Sequence, residues 1–159
     1  MRILITGGNG YLGTKLIDKI DLHNNVIKVF SRKNNIDKIR KDSRIYYVKG
    51  DLLDEHSLLE ATRDIDLVVH MAGITHTNHT QDYYKINVEG TKKLIDACEK
   101  NKVKNIILVS SRTASLDGGD YALSKLFSEE IVKKSNLDWI ILRIAEVYGG
   151  NNKGGINQL

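Results

Sequence analysis

Short runs rich in isoleucine and valine recur along the chain, at Ile3 to Ile5, Val26 to Phe30, Ile45 to Val48, Leu67 to Val69, Ile106 to Val109 and Trp139 to Leu142. Each is too short for a helix of ordinary length and, Lys28 aside, continuously apolar, which is the pattern of a strand buried on both faces. Between them lie segments with helical spacing: Leu12, Leu16, Ile17 and Ile20, then Leu52 to Ala61, Tyr84 to Cys98 and Tyr121 to Val132. The pattern reads as strand, helix, strand throughout. It predicts an α/β fold with a doubly wound parallel sheet, joined by right-handed crossovers and covered by helices on both faces as three α/β/α layers.

At 159 residues the chain fits one domain, 1–159, with no repeat, low-complexity tract or linker. A hydrophobic fraction of 41% and a charged fraction of 28% are those of a globular protein. The net charge of +4 comes from scattered lysines, without the clustered footprint of a nucleic-acid binder. Cys98 is the single cysteine, so no disulfide forms within one chain, as expected of a cytoplasmic protein. No apolar stretch is long enough for a membrane span, and Met1 to Ile5 lacks the apolar core of a signal peptide.

Ligands of open parallel sheets bind outside the carboxyl ends of the strands. Here those ends are Gly7, Ser31-Arg32, Gly50-Asp51, Met71-Ala72-Gly73, Ser110-Ser111 and Arg143 to Glu146, where small, hydroxyl and charged residues dominate. The first end carries nested glycine spacings. Gly8, Gly10 and Gly13 match G-x-G-x-x-G, whereas Gly7, Gly10 and Gly13 match G-x-x-G-x-x-G. Either turn, placed between a hydrophobic strand and an amphipathic helix, presents a helix N-terminus to a pyrophosphate and predicts an NAD(P)-binding Rossmann fold.

The second strand end selects between the two nicotinamide dinucleotides. An NAD site places an acid there for the ribose 2′-hydroxyl, and an NADP site a basic residue for the 2′-phosphate. The sequence Val29-Phe30-Ser31-Arg32-Lys33 has no acid, and Arg32 offers a bidentate fork. NADP(H) is therefore the expected cofactor, held by Ser31, Arg32 and Lys33, with NAD(H) the alternative. Asp51 has two readings, an acceptor for the adenine amino group or a cap on the next helix.

Tyr121 and Lys125 stand four residues apart in Tyr121-Ala122-Leu123-Ser124-Lys125, on one helical face. An ammonium beside the phenol lowers its pKa and suits Tyr121 to acid–base work, while Lys125 can also bond a ribose. Ser111 can orient a substrate hydroxyl or carbonyl, with Thr113 as a second hydroxyl at that place.

In this order, Thr6-Gly7-Gly8-Asn9-Gly10-Tyr11-Leu12-Gly13, Gly50-Asp51, His70-Met71-Ala72-Gly73, Asn87-Val88-Glu89-Gly90-Thr91, Ser110-Ser111 and Tyr121 to Lys125 resemble the extended short-chain dehydrogenase/reductase family of NAD(P)-dependent epimerases and dehydratases. The resemblance runs over essentially the whole chain. It implies Ser111, Tyr121 and Lys125 as the catalytic set, and Gly7, Gly10, Tyr11, Leu12, Asp51, Leu52, Met71, Ala72, Gly73, Asn87, Tyr121 and Lys125 around the cofactor. Asn87 would support the site from the fourth crossover helix. The implied activity is epimerase, dehydratase or reductase chemistry on a nucleotide sugar by hydride transfer, in a homodimer formed through Tyr84 to Asn101 and Tyr121 to Ser135.

The sequence departs from the family pattern in four places. Only nine residues separate Ser111 from Tyr121, and Arg112 to Ser115 lacks the usual Val-Tyr-Gly; Ile144 follows Arg143 where many relatives have proline; Ser31-Arg32 replaces the acid. Relatives continue into a smaller substrate domain past the position of Leu159, so this chain is expected to be the cofactor-binding part of a longer protein. The short 112–120 loop is similar to that of reductases and of non-catalytic NADP(H)-binding or regulatory relatives, the alternative function. His70, His76 and His79 lack the acids or cysteines of a metal site. Thr75 and His76 stand where nicotinamide or substrate could be touched, and Trp139, flanked by Ile140, is expected in the core.

Overall fold

The computed structural model of the chain describes residues 1–33, 37 and 39–147; the stretch 148–159 of the expected domain lies outside them. The strands are β1 (Arg2–Thr6), β2 (Val26–Ser31), β3 (Ile45–Lys49), β4 (Leu67–His70), β5 (Asn105–Ser111) and β6 (Asp138–Ile144). They form one parallel sheet in the order β3-β2-β1-β4-β5-β6. The order reverses between β1 and β4, so the carboxyl ends of these two strands flank the crevice in which doubly wound sheets bind ligands.

Helices α1 (Tyr11–Lys19), α2 (Glu55–Thr62), α4 (Gly90–Lys100) and α5 (Gly119–Lys133) are where helical spacing predicts them. The segment from Tyr84 is not one regular helix. A single turn α3 (Gln81–Tyr83) leads into a π-helical stretch, Tyr84–Glu89, before α4. Among the described residues no helix joins β2 to β3; positions 34–36 and 38 of that connection lie outside them.

Strand periodicity divides the core into two layers. Leu4, Phe30, Val68, Ile106 and Leu108 face α2, α4 and α5, meeting Leu58, Leu94, Cys98 and Val132. Ile3, Ile5, Ile27, Val29 and Val69 face the other way and meet Ile17 of α1. Burial contributes roughly 1.5–3 kcal/mol for each large side chain, so both layers hold the strand ends in register. Cys98 is fully buried, and its thiol is pushed up to about 12 by that burial, which makes it an inert packing group.

The two faces are unequally covered. Among the described residues α1 is the helix on the second face, and it leaves the β5–β6 end open: Ile140 and Leu142 are 55% and 46% exposed. Trp139 is 43% exposed rather than in the core, because β6 is the last strand and its outer side has no neighbour among the described residues.

Candidate functional site

The glycine turn is a close-packed backbone knot. Gly7 has φ of +70°, and a Cβ there would lie 2.8 Å from the Ala72 nitrogen. A Cβ on Gly13 would lie 2.4 Å from the Gly8 Cα and 2.5 Å from the Gly7 carbonyl oxygen. Gly8 is buried against Val29 and Ile17, whereas Gly7 and Gly10 face the crevice. The Gly7, Gly10, Gly13 spacing is therefore the one that shapes the surface. Gly10 also caps α1, receiving the Thr14 N–H at 3.0 Å and donating its own N–H to Gly7 O at 3.0 Å.

Over this turn lies a groove of about 320 Å³. Its lining includes ten residues named from the sequence: Gly7, Gly10, Ser31, Arg32, Lys33, Asp51, Leu52, Met71, Ala72 and Gly73. Asn9, Phe30, Gly50, Ile74 and Ile86 complete it. Of these, Phe30 and Ile86 carried no motif signal, since each reads locally as an apolar core residue. Asp51 does not cap α2. Its carboxylate accepts the Leu53 N–H at 2.9 Å in a local turn, and the cap is Asp54, which accepts from His56. At the far end Ser31 Oγ accepts the Lys33 N–H at 3.3 Å, and the Tyr47 hydroxyl donates to the carbonyls of Ser31 and Lys33. The turn is thus tied back to β3, with the Arg32 and Lys33 side chains exposed.

Tyr11, Leu12, Asn87, Ser111, Tyr121 and Lys125 are not part of that lining. Leu12 is 37% exposed on α1. Asn87 is 3% exposed, and its side chain is spent on structure. Its Oδ1 accepts the Ile74 N–H at 2.9 Å, while its Nδ2 donates to Ile74 O at 3.1 Å and Ser124 Oγ at 3.0 Å. The loop after β4 is thereby pinned to α5.

Ser111, Thr113 and Tyr121 form a hydroxyl cluster at the end of β5. Ser111 Oγ lies 2.9 Å from Thr113 Oγ1, and Ser111 is the neighbour that favours ionisation of the Tyr121 phenol. The Tyr83 ring packs 5.8 Å from that of Tyr121 at 58°, and its hydroxyl donates to Thr75 O. Thr75 and His76 bond each other in an exposed loop. Lys125 is turned to the strand. Its ammonium donates to the Val109 carbonyl at 2.9 Å, and burial lowers its pKa to about 8 against the opposing pull of Glu129. The Tyr121 pKa is raised, by burial first and then by Tyr83, with only the Ser111 hydrogen bond acting the other way. Four-residue spacing puts two side chains on one face but does not choose their rotamers, and here the strand carbonyl captures the ammonium.

Behind the cluster, Glu129 is a carboxylate only 1% exposed. Although burial opposes its ionisation, Arg143 grips it at 2.9 and 2.7 Å and Ser110 donates to it, so its pKa lies below the ordinary range.

A family model, the 3-beta hydroxysteroid dehydrogenase/isomerase family, matches residues 4–120, which span the glycine turn, the groove and the start of α5. The chain belongs to this family. Family membership and the six-stranded sheet agree with the extended short-chain dehydrogenase/reductase resemblance of the sequence. Among known relatives, a sterol-4-alpha-carboxylate 3-dehydrogenase (decarboxylating) of Candida albicans is 30% identical over 95% of this chain and 52% of its own length. A UDP-N-acetylglucosamine 4,6-dehydratase (inverting) of Campylobacter jejuni is 33% identical over 84% of this chain and 43% of its own. The chain thus spans about half the length of these relatives. The structure of a UDP-glucuronic acid 4-epimerase from Bacillus cereus in complex with NAD superposes with a TM-score of 0.78 at 25% identity, over 96% of this chain and 59% of that one. The Bordetella bronchiseptica enzyme WbmG in complex with NAD has the same fold, with a TM-score of 0.82 at 24% identity over 94% of this chain and 54% of that one. Among the described residues no helix is long and apolar enough to cross a membrane.

Proposed function

We propose that this chain is the nicotinamide-dinucleotide-binding domain of an oxidoreductase, epimerase or dehydratase that acts on a secondary alcohol or its ketone, a nucleotide sugar being the favoured substrate class. The observation that carries the reading is the groove over Gly7 and Gly10, bounded by Met71, Ala72 and Gly73 on one side and Ser31, Arg32 and Asp51 on the other. Its backbone approaches so closely that no side chain fits at Gly7 or Gly13, as a pyrophosphate cradle requires. The NAD in the Bacillus cereus epimerase structure supports the dinucleotide. That enzyme and the Campylobacter jejuni dehydratase, both named for UDP-sugar substrates, support the substrate class.

Arg32 and Lys33, with no acid beside them, favour NADP(H) through the 2′-phosphate. When bound, the nicotinamide supplies the hydride acceptor or donor. Tyr121 moves the substrate hydroxyl proton, Ser111 orients that hydroxyl with Thr113 beside it, and Lys125 reaches the ribose once it leaves Val109. Orientation is the protein's main contribution to such chemistry. The remaining length typical of relatives would supply the substrate-specific side, and α4 with α5 the face of a homodimer.

A second reading, cofactor binding without turnover, is favoured by one observation: the Lys125 ammonium bonds a strand carbonyl and Tyr121 is harder, not easier, to ionise. Tyr121→Phe in the full-length protein separates the two. The enzymatic reading predicts a kcat loss of roughly 100-fold or more with dinucleotide affinity unchanged; turnover that survives the substitution rejects it.

A further inference from the structure

His70, at the end of β4, is 1% exposed and touches no part of the hydroxyl cluster. Its Nδ1 lies 2.7 Å from Thr6 Oγ1 and its Nε2 lies 3.0 Å from Thr91 Oγ1. The surrounding bonds decide the direction of both contacts. Thr6 Oγ1 accepts the Ala72 N–H at 3.1 Å and shares the Met71 N–H at 3.2 Å. A threonine hydroxyl has two acceptor sites and one proton, so that proton goes to His70 Nδ1. At the other end the Thr91 hydroxyl donates to the Asn87 carbonyl, so Thr91 Oγ1 accepts from His70 Nε2–H. Both ends require the same tautomer.

We propose that His70 is a positioning residue for the nucleotide groove: as the fixed Nε2–H tautomer it orients the Thr6 hydroxyl, which holds the Ala72 amide against the glycine turn. The position it controls is critical, because the Ala72 nitrogen is the atom nearest to where a Cβ on Gly7 would stand, and Gly7, Met71 and Ala72 all line the groove. A displaced Ala72 amide narrows or opens the crevice beside Gly7. On the opposite side the chain of bonds runs through Thr91 to Asn87, whose side chain holds Ile74, a further lining residue. One imidazole therefore ties both ends of the segment 71–74 to β1 and α4. Burial, helped by the charge of Lys125, depresses the His70 pKa to about 3, so the ring carries a single N–H at neutral pH.

The inference takes its ligand from the proposed function but has a readout that needs none. Ring-nitrogen NMR of the protein is expected to show a protonated Nε2 and a bare Nδ1; the reverse tautomer overturns the proposal. In His70→Leu and Thr6→Val, amide exchange at Ala72 should quicken by roughly tenfold or more, and His70→Asn, whose Oδ1 stands where Nδ1 does, should restore most of the protection. Titrated with NADP+ and NAD+, the leucine and valine variants should bind about tenfold more weakly and the asparagine variant close to wild type. The double variant His70→Leu/Thr6→Val should lose no more than either single one, since both act on one bond. Unchanged exchange and affinity in folded Thr6→Val or His70→Leu overturns the proposal, as does an asparagine variant no better than leucine. If the wild type binds neither dinucleotide, the proposed function fails, and the exchange and tautomer results still decide the role of His70.

Discussion

The β1–β4 end of the crevice and the β5–β6 end are built differently. At the first, the surface is backbone: Gly7, Gly10, Met71, Ala72 and Gly73 meet at distances that leave no freedom, and Thr6, His70 and Asn87 fix them from below. At the second, the surface is side chains, with Ser111, Thr113 and Tyr121 part-exposed, Lys125 turned to a strand carbonyl, and Ile140 and Leu142 open on one face. A backbone-built site exists before its ligand arrives. A side-chain site also needs its rotamers set, and here the Lys125 ammonium is set against the Val109 carbonyl.

The largest test of this contrast is Gly13→Val. Its branched side chain must enter space held by Gly8 and Gly7 at 2.4–2.5 Å from Cβ, where no flexible atom can yield. The folded state should lose about 3 kcal/mol or more, measured by urea denaturation. Next is Lys125→Met. With a folded-state pKa of about 8 against an ordinary 10.5, the unfolded chain holds a proton that the folded one releases between those values. Wild-type stability, taken relative to Lys125→Met, should therefore rise as pH goes from about 8 to 10.5, by an amount on the order of a few kcal/mol. A flat difference across that window would show that the ammonium is not held at a cost. The smallest effect belongs to the open face: Leu142→Ser should change stability by no more than about 0.5 kcal/mol, because that side chain is half in water already.

The strand order and the groove were legible because apolar runs and glycines encode backbone path. All six runs became strands within a residue or two, and ten of the cofactor residues named from the sequence line one surface. What escaped was decided by tertiary partners. Trp139 looks like core from its neighbours, yet lies on an edge strand with one side open. Lys125 looks like a partner for Tyr121, and in the fold its ammonium donates to Val109 O. Asn87 was expected to support the site, and the π-helical turn sets its side chain against Ile74 and Ser124, partners that no local pattern names. His70 entered only as part of the His70-Met71-Ala72-Gly73 motif and as a candidate metal ligand, because nothing local shows that Thr6 and Thr91 converge on it.

Calorimetric titration of the protein with NADP+ and NAD+, repeated on Arg32→Ala, probes both the preformed dinucleotide groove and its proposed 2′-phosphate end. Saturable binding of one molecule per chain is expected, tighter for NADP+, with the substitution weakening NADP+ by about tenfold and leaving NAD+ unchanged. Tighter NAD+ binding, or an Arg32→Ala variant that treats the two nucleotides as the wild type does, would contradict the phosphate assignment; no saturable binding of either would contradict the groove itself.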